Sequence, residues 1–302
     1  MSIYPKQILT LQQQLQTLTD AGMKIPSLDD AQIALTTIGY YRLRGYCFHL
    51  YDNQNKQYKP GTDFSDVLRL YNFDRELSHL LFRMSSAIEV ALRVRLIDAL
   101  LIHCDSLILY SPEIFDDKKL YWQNLGTLSN EIARSSDVFI RHNFQNHDGQ
   151  IPVWAAVEVM SFGNLSKIIK NLKTGVGSSA AMMVSYYKYL SPKGKLVNPS
   201  KQMFTSWIQA VSILRNMCAH NSRIYNRTIS THVQIPSVNQ PSVVTRHNGL
   251  YQIVLAMKYL RPDNTIWKRF IDDLDVLFSK YGNVVDLTKI NFPQDWKNQL
   301  LL

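Results

Sequence analysis

The chain has 302 residues, an apolar fraction of 46%, a net charge of +9 and a pI near 9.3. That length and apolar content exclude a disordered chain and give one large or two small domains with a real core, while the positive excess favours a polyanionic partner, nucleic acid above all. Cys47, Cys104 and Cys218 lack paired ligand spacing, no apolar run approaches the ~18 residues of a membrane span, and the first six residues lack the basic-then-apolar order of a secretion signal. The expectation is therefore a cytoplasmic protein with reduced thiols and no membrane anchor.

In chain order, Ile8, Leu11, Leu15 and Leu18 recur at helical spacing and predict an amphipathic helix over 6–22. Pro26-Ser27 opens a second short helix over 28–37. Tyr40 to Tyr51 is dense in aromatics and holds Arg42 and Arg44. Such a cluster stacks bases and grips phosphates, or packs its tyrosines into a core with the arginines paired to acids. Asp63 caps a long helical region running to about His103, with a break expected near Asn72 to Asp74. Asp74, Arg75 and Glu89 are charges within this apolar pattern, and Glu89 shares a face with Leu92, Arg93 and Leu96. Glu89 is thus a candidate partner for a buried arginine.

Ser111-Pro112 starts another helical stretch, which continues over 118–142. His142 to Gly149 reads as a polar loop whose two histidines are too few for a metal site. Pro152 to Gly163 begins as a helix with proline just inside the start and glycine just past the end. Glu158, flanked by large apolar residues, is a second candidate acid. Gly175-Val-Gly-Ser-Ser lacks the Gly-Lys-Ser/Thr ending of a phosphate loop, which excludes a nucleoside-triphosphate site of that kind. A helix over 180–190 leads to a basic, exposed loop with Lys193, Lys195 and Lys201, either a track for an RNA backbone or simply solvated.

The next helix carries Phe204, Ile208, Val211, Arg215 and Cys218 on one face. Four of these suit a core. The fifth is a guanidinium, which must meet an anion: a carboxylate of this chain, a partner subunit or a phosphate. Asn216 sits one turn before His220, where its amide can orient the imidazole. Arg223 and Arg227 add two cations just beyond. Residues 229–248 have weak strand character, a hairpin or an extended arm, and two helices follow over 249–260 and 263–281 before a short terminal helix.

Arg215-Asn216-Met217-Cys218-Ala219-His220 at a helix end resembles the signature of HEPN ribonucleases. Arg44/His49 and Arg227/His232 share its spacing but lack the asparagine. Further blocks follow the same order as those of the Abi-like family, which includes the AbiD and AbiF abortive-infection proteins. They are Ile38 to Tyr46, Leu70 to Arg75, Ala87 to Arg93, Trp154 to Gly163, and Arg215 to Arg223. The resemblance runs from about Gly39 to about Arg227. It implies an all-α, HEPN-like helical bundle over 39–228, a helical extension over 1–38, and an arm with C-terminal helices over 229–302.

The resemblance also implies phage defence and a metal-independent endoribonuclease shared across a homodimer. Arg215 would clamp the phosphate, His220 would be acid or base, and Asn216 the orienter, with Glu89 and Glu158 as supporting acids. RNA would lie along Arg42, Arg44, Lys193, Lys195, Lys201, Arg223 and Arg227. No cofactor or metal is called for, because the 2′-hydroxyl of RNA is its own nucleophile. The alternative is a module that binds a structured small noncoding RNA, its nuclease silent or restrained.

Overall fold

Thr10 opens the first helix in the computed structural model of the chain, which describes residues 7–236 and 249–301. Its hydroxyl accepts from the amide of Gln13 while the Gln13 side chain accepts from the amide of Thr10, so both ends of a capping box are made for α1 (Leu11–Asp20). Ser27 caps α2 (Leu28–Ala34), which widens into a π turn over Leu35–Gly39. Gly39, at φ 95°, re-aims the chain into α3 (Tyr40–Arg44). A two-stranded antiparallel hairpin, β1 (Tyr51–Asp52) and β2 (Gln57–Tyr58), returns the chain toward Asp63.

Asp63 accepts from the amide of Ser65 and starts α4 (Phe64–Leu100), a helix of 37 residues, ~55 Å long at 1.5 Å per residue. It runs unbroken through Asn72 to Asp74, where the sequence suggests an interruption. The reason lies in tertiary structure: the Asp74 carboxylate turns inward and finds donors on other elements, so it never competes for the helix backbone. Leu77, Leu81, Ile88, Leu92 and Leu96 of α4 are completely buried.

Beyond α4 come α5 (Lys118–Arg134), α6 (Val138–Asn146), α7 (Val153–Val159), α8 (Phe162–Asn171) and α9 (Ser179–Ser185). The expected polar loop over 142–149 is helical as far as Asn146, because Ile140 and Asn143 bury one face of α6. Gly163 lies inside α8 and not past the end of α7, since Ser161 accepts from the amide of Asn164 and caps a new helix. The basic segment after α9 is a second small hairpin, β3 (Tyr189–Leu190) and β4 (Leu196–Val197), with Lys193 and Lys195 exposed at its tip.

Three helices complete the core: α10 (Lys201–Ala219), α11 (Leu250–Leu260) and α12 (Asn264–Tyr281); α13 (Trp296–Leu301) closes the chain. Helix α10 packs against α4, α8 and α11, and α12 lies on another side of α4. Trp207 of α10 stacks on Tyr259 of α11 at 4.7 Å and donates to the carbonyl of Gln234 at 2.7 Å. The expected all-α bundle is present. Residues 229–236 form no strand; the rest of the expected arm, 237–248, lies outside the described residues. Among the described residues no helix is long and apolar enough to cross a membrane.

Candidate functional site at the end of α10

Phe204, Ile208, Val211 and Cys218 are buried along one face of α10, as the spacing requires. Arg215 on the same face meets Glu89 of α4, its Nε lying 3.3 Å from Oε2 with 30% of the arginine side chain exposed and 7% of the glutamate. The N–H is not aligned on that oxygen, so this is an ion pair without a hydrogen bond. Nη1 donates to Oδ1 of Asn216 at 3.2 Å, and the guanidinium carbon sits 5.8 Å from the centre of the Phe82 ring. Arg215 is thus anchored along one edge, with a part-exposed guanidinium still able to bind an anion.

Glu89 also holds Arg93 one turn further along α4, Oε1 to Nη2 at 2.6 Å. Arg93 in turn donates to the carbonyls of Val157, Glu158 (3.0 Å) and Met160 (2.7 Å). These are the unpaired carbonyls at the C-terminal end of α7, where a cation is favoured. One buried carboxylate therefore links two arginines and, through them, α4, α7 and α10. Glu158 does not take part as an acid. It contributes its backbone carbonyl while its side chain is exposed, because its position on the short α7 faces solvent.

His220 is the C-cap of α10 and is exposed. Asn221 follows in the left-handed region at φ 53°, and the amide of Ser222 donates back to the carbonyl of Met217 at 2.9 Å, which ends the helix as a Schellman-type turn does. Arg42 of α3 donates to the Asn221 carbonyl at 2.7 Å, and Arg75 of α4 to its Oδ1 at 2.5 Å. The strand of chain beyond is fastened to Asp74. Its carboxylate, only 1% exposed, accepts from the amides of Ile224 (3.1 Å) and Tyr225 (2.6 Å) and from the Tyr46 hydroxyl (2.7 Å). Burial drives the Asp74 carboxyl above the usual range, and these donors pull against it.

The structure brings some of the expected residues together. Arg42, Arg215 and His220 all meet the last turn of α10 and its exit. Arg223 is half-held there: it donates to the carbonyls of Tyr225 (2.7 Å) and Asn226 (3.0 Å), and burial lowers its pKa. Arg227 is exposed, and Arg44 sits exposed between Tyr40 and Tyr51, 5.8 Å from each ring centre. Lys201 is already engaged by Asp116 (2.8 Å), the Leu172 carbonyl and Thr174. Asn216 accepts from Arg215, and among the described residues its amide makes no bond to the His220 ring. Cys218 is no candidate nucleophile, since burial pushes its thiol up to about 11. Among the described residues no three His, Cys, Asp or Glu side chains gather as metal ligands.

Sequence reasoning overlooked His79. It is exposed on α4, one turn after Arg75, with Nε2 3.4 Å from the Arg75 guanidinium that also grips Asn221. Its signal was the i, i+4 spacing to Arg75 on the long helix.

Comparison with known protein families matches residues 33–226 to the family described as Abi-like protein, about two-thirds of the chain and all of the site just described except Arg227. The chain belongs to the Abi-like protein family. Searches of curated proteins and of solved structures gave no match. Membership places this Abi-like chain among proteins named for abortive infection, and the matched stretch spans α3 to the exit of α10.

Three stability outcomes follow for the Abi-like chain. Asp74→Ala leaves buried donors of Tyr46, Ile224 and Tyr225 unpaired and costs about 3 kcal/mol or more, at ~1–3 kcal/mol per orphaned group, measured by urea unfolding. Glu89→Ala leaves two guanidinium groups without their buried anion and costs about 3–5 kcal/mol. Glu158→Ala, at an exposed position, stays within about 0.5 kcal/mol of wild type in the same measurement.

Proposed function

We propose that the chain is a metal-independent endoribonuclease of the HEPN type acting in phage defence in the cytoplasm, with Arg215 and His220 as its reacting pair. The observation that carries this reading is the state of Arg215. It is oriented by a buried carboxylate yet left part-exposed at a helix end, five residues before an exposed histidine. A wholly structural arginine would have its donors taken up within the core, as those of Arg93 are.

The chemistry needs no nucleophile from the protein. The 2′-oxygen of RNA attacks the adjacent phosphorus and loses its proton to a base. The 5′-oxygen leaves and takes a proton from an acid, and a 2′,3′-cyclic phosphate remains. Arg215 stabilises the charge that grows on the phosphorane. His220 exchanges one of the two protons, imidazole being the side chain suited to proton transfer near neutral pH. Arg42, Arg75 and Arg223 hold the exit of α10 and add positive potential beside it.

One histidine serves one proton transfer, so a second group is required. A second copy of the same motif across a homodimer supplies it. Supporting a self-contact, α4 and α7 expose Val90, Val94 and Trp154, and Val90 and Val94 lie four residues apart on one side of α4. A source within the same chain is His79, beside Arg75. That second reading predicts that a monomer is active and that His79→Ala loses as much activity as His220→Ala.

The test uses end-labelled RNA in EDTA with purified wild type, Arg215→Ala, His220→Ala and His79→Ala. Wild type is expected to cleave. Arg215→Ala and His220→Ala are expected to fall by at least 100-fold, on the order of a lost acid–base or phosphate-clamp contribution. His79→Ala is expected to keep most activity. No cleavage by wild type, with RNA still shifted on a native gel, would overturn the nuclease reading in favour of an RNA-binding module.

A further inference from the structure

A cleft of about 610 Å³ opens between α5, α8 and α10, and Asn216 of the motif forms part of its wall. Its size is that of a small-ligand site, enough for one nucleotide. Its lining is unusual for a gap between packed helices. Asn124, Ser166 and Ser212 line it, and all three are more than nine-tenths buried. Among the described residues none of their side-chain polar groups is hydrogen-bonded to protein. Buried polar groups are normally satisfied. The polar atoms of these three open onto the cleft and are not sealed from it, so a polar ligand that enters meets their donors and acceptors together.

The rest of the lining narrows the ligand class. An asparagine amide and two hydroxyls each offer both donors and acceptors, as the edge of a nucleobase does. Leu120 and Ile213 give apolar surface for the faces of a ring. Lys167 and Lys170, on successive turns of α8, stand exposed at the rim, and among the described residues neither has an acidic partner. They suit a phosphate. Asn216 joins the cleft to the motif, since the same side chain accepts from Arg215.

We propose that this cleft holds one nucleotide of the RNA substrate, base inward on Asn124, Ser166 and Ser212 and phosphate toward Lys167 and Lys170. It would thereby select the nucleotide next to the bond that Arg215 and His220 cleave. The identity of the ligand as part of an RNA substrate rests on the ribonuclease reading above. The capacity to bind a nucleotide rests on the cleft alone.

Gly163 offers a clean way to close the cleft. It lines the cavity, and a Cβ added there meets no atom within 4 Å, so the side chain of Gly163→Leu starts out in open space. The experiment measures binding of each of the four nucleoside 5′-monophosphates to the full chain by saturation-transfer NMR. It compares wild type, Gly163→Leu and Lys167→Glu/Lys170→Glu, with melting temperatures recorded alongside. At least one monophosphate is expected to bind wild type through its base protons. Both variants are expected to bind it at least tenfold more weakly at an unchanged melting temperature. Absence of binding by all four, or equal binding by the variants, overturns the proposal whether or not the protein cleaves RNA. If wild type cleaves and Gly163→Leu cuts the same positions with the same KM, the cleft is excluded as the selecting subsite while the nuclease stands. Monophosphate binding lost in the variants, without any His220-dependent cleavage, supports the nucleotide site and removes the nuclease reading.

Discussion

The geometry of the site depends on one buried carboxylate. Glu89 lies against Arg93 on its own helix and Arg215 on α10. Removing an anion from water costs several kcal/mol, and only close cations recover it, so the carboxylate fixes where both arginines must be. Arg93 then caps the carbonyl end of α7, and Arg215 is held at the end of α10 with its outer face open. The arrangement converts a desolvation penalty in the core into the orientation of a cation at the surface.

A second buried acid plays the complementary part. Asp74 lies four turns before Glu89 on the same continuous helix and collects the chain just after His220 by accepting from two backbone amides and Tyr46. Arg75 and Arg42 hold Asn221 from two other elements. The motif is thus pinned on both sides, Arg215 from below by Glu89 and the exit of His220 by Asp74. Both anchors sit on the one continuous helix α4. A hinge between Asp74 and Glu89 would uncouple them.

Much of this was legible in the residues. An arginine on the apolar face of α10 demanded an anion, and Glu89, on the inward face of α4 beside Leu92 and Leu96, was one of the two acids put forward to supply it. The caps at Ser27 and Asp63 marked their helices through ordinary side-chain chemistry. What stayed hidden was tertiary. Glu158 looked buried because its neighbours are large and apolar, but α7 is too short for periodicity to say which side faces out. Asp74 looked like a helix breaker because its partners lie about 150 residues away. Lys201 looked free for RNA because Asp116 and the Leu172 carbonyl come from separate elements. His79 and the polar cleft beside Asn216 arise where α4, α5, α8 and α10 meet, and no local pattern announces them.

The central claim is that the RNA supplies its own nucleophile at the site formed by Arg215 and His220. The most direct measurement maps one strong cleavage position, then replaces the 2′-hydroxyl on its 5′ side with hydrogen in a synthetic oligonucleotide. The account predicts that cleavage at that single bond disappears, that neighbouring bonds are unaffected, and that the unmodified product ends in a 2′,3′-cyclic phosphate. Cleavage of the 2′-deoxy bond at an undiminished rate would contradict it, since the attacking oxygen would then have to come from elsewhere.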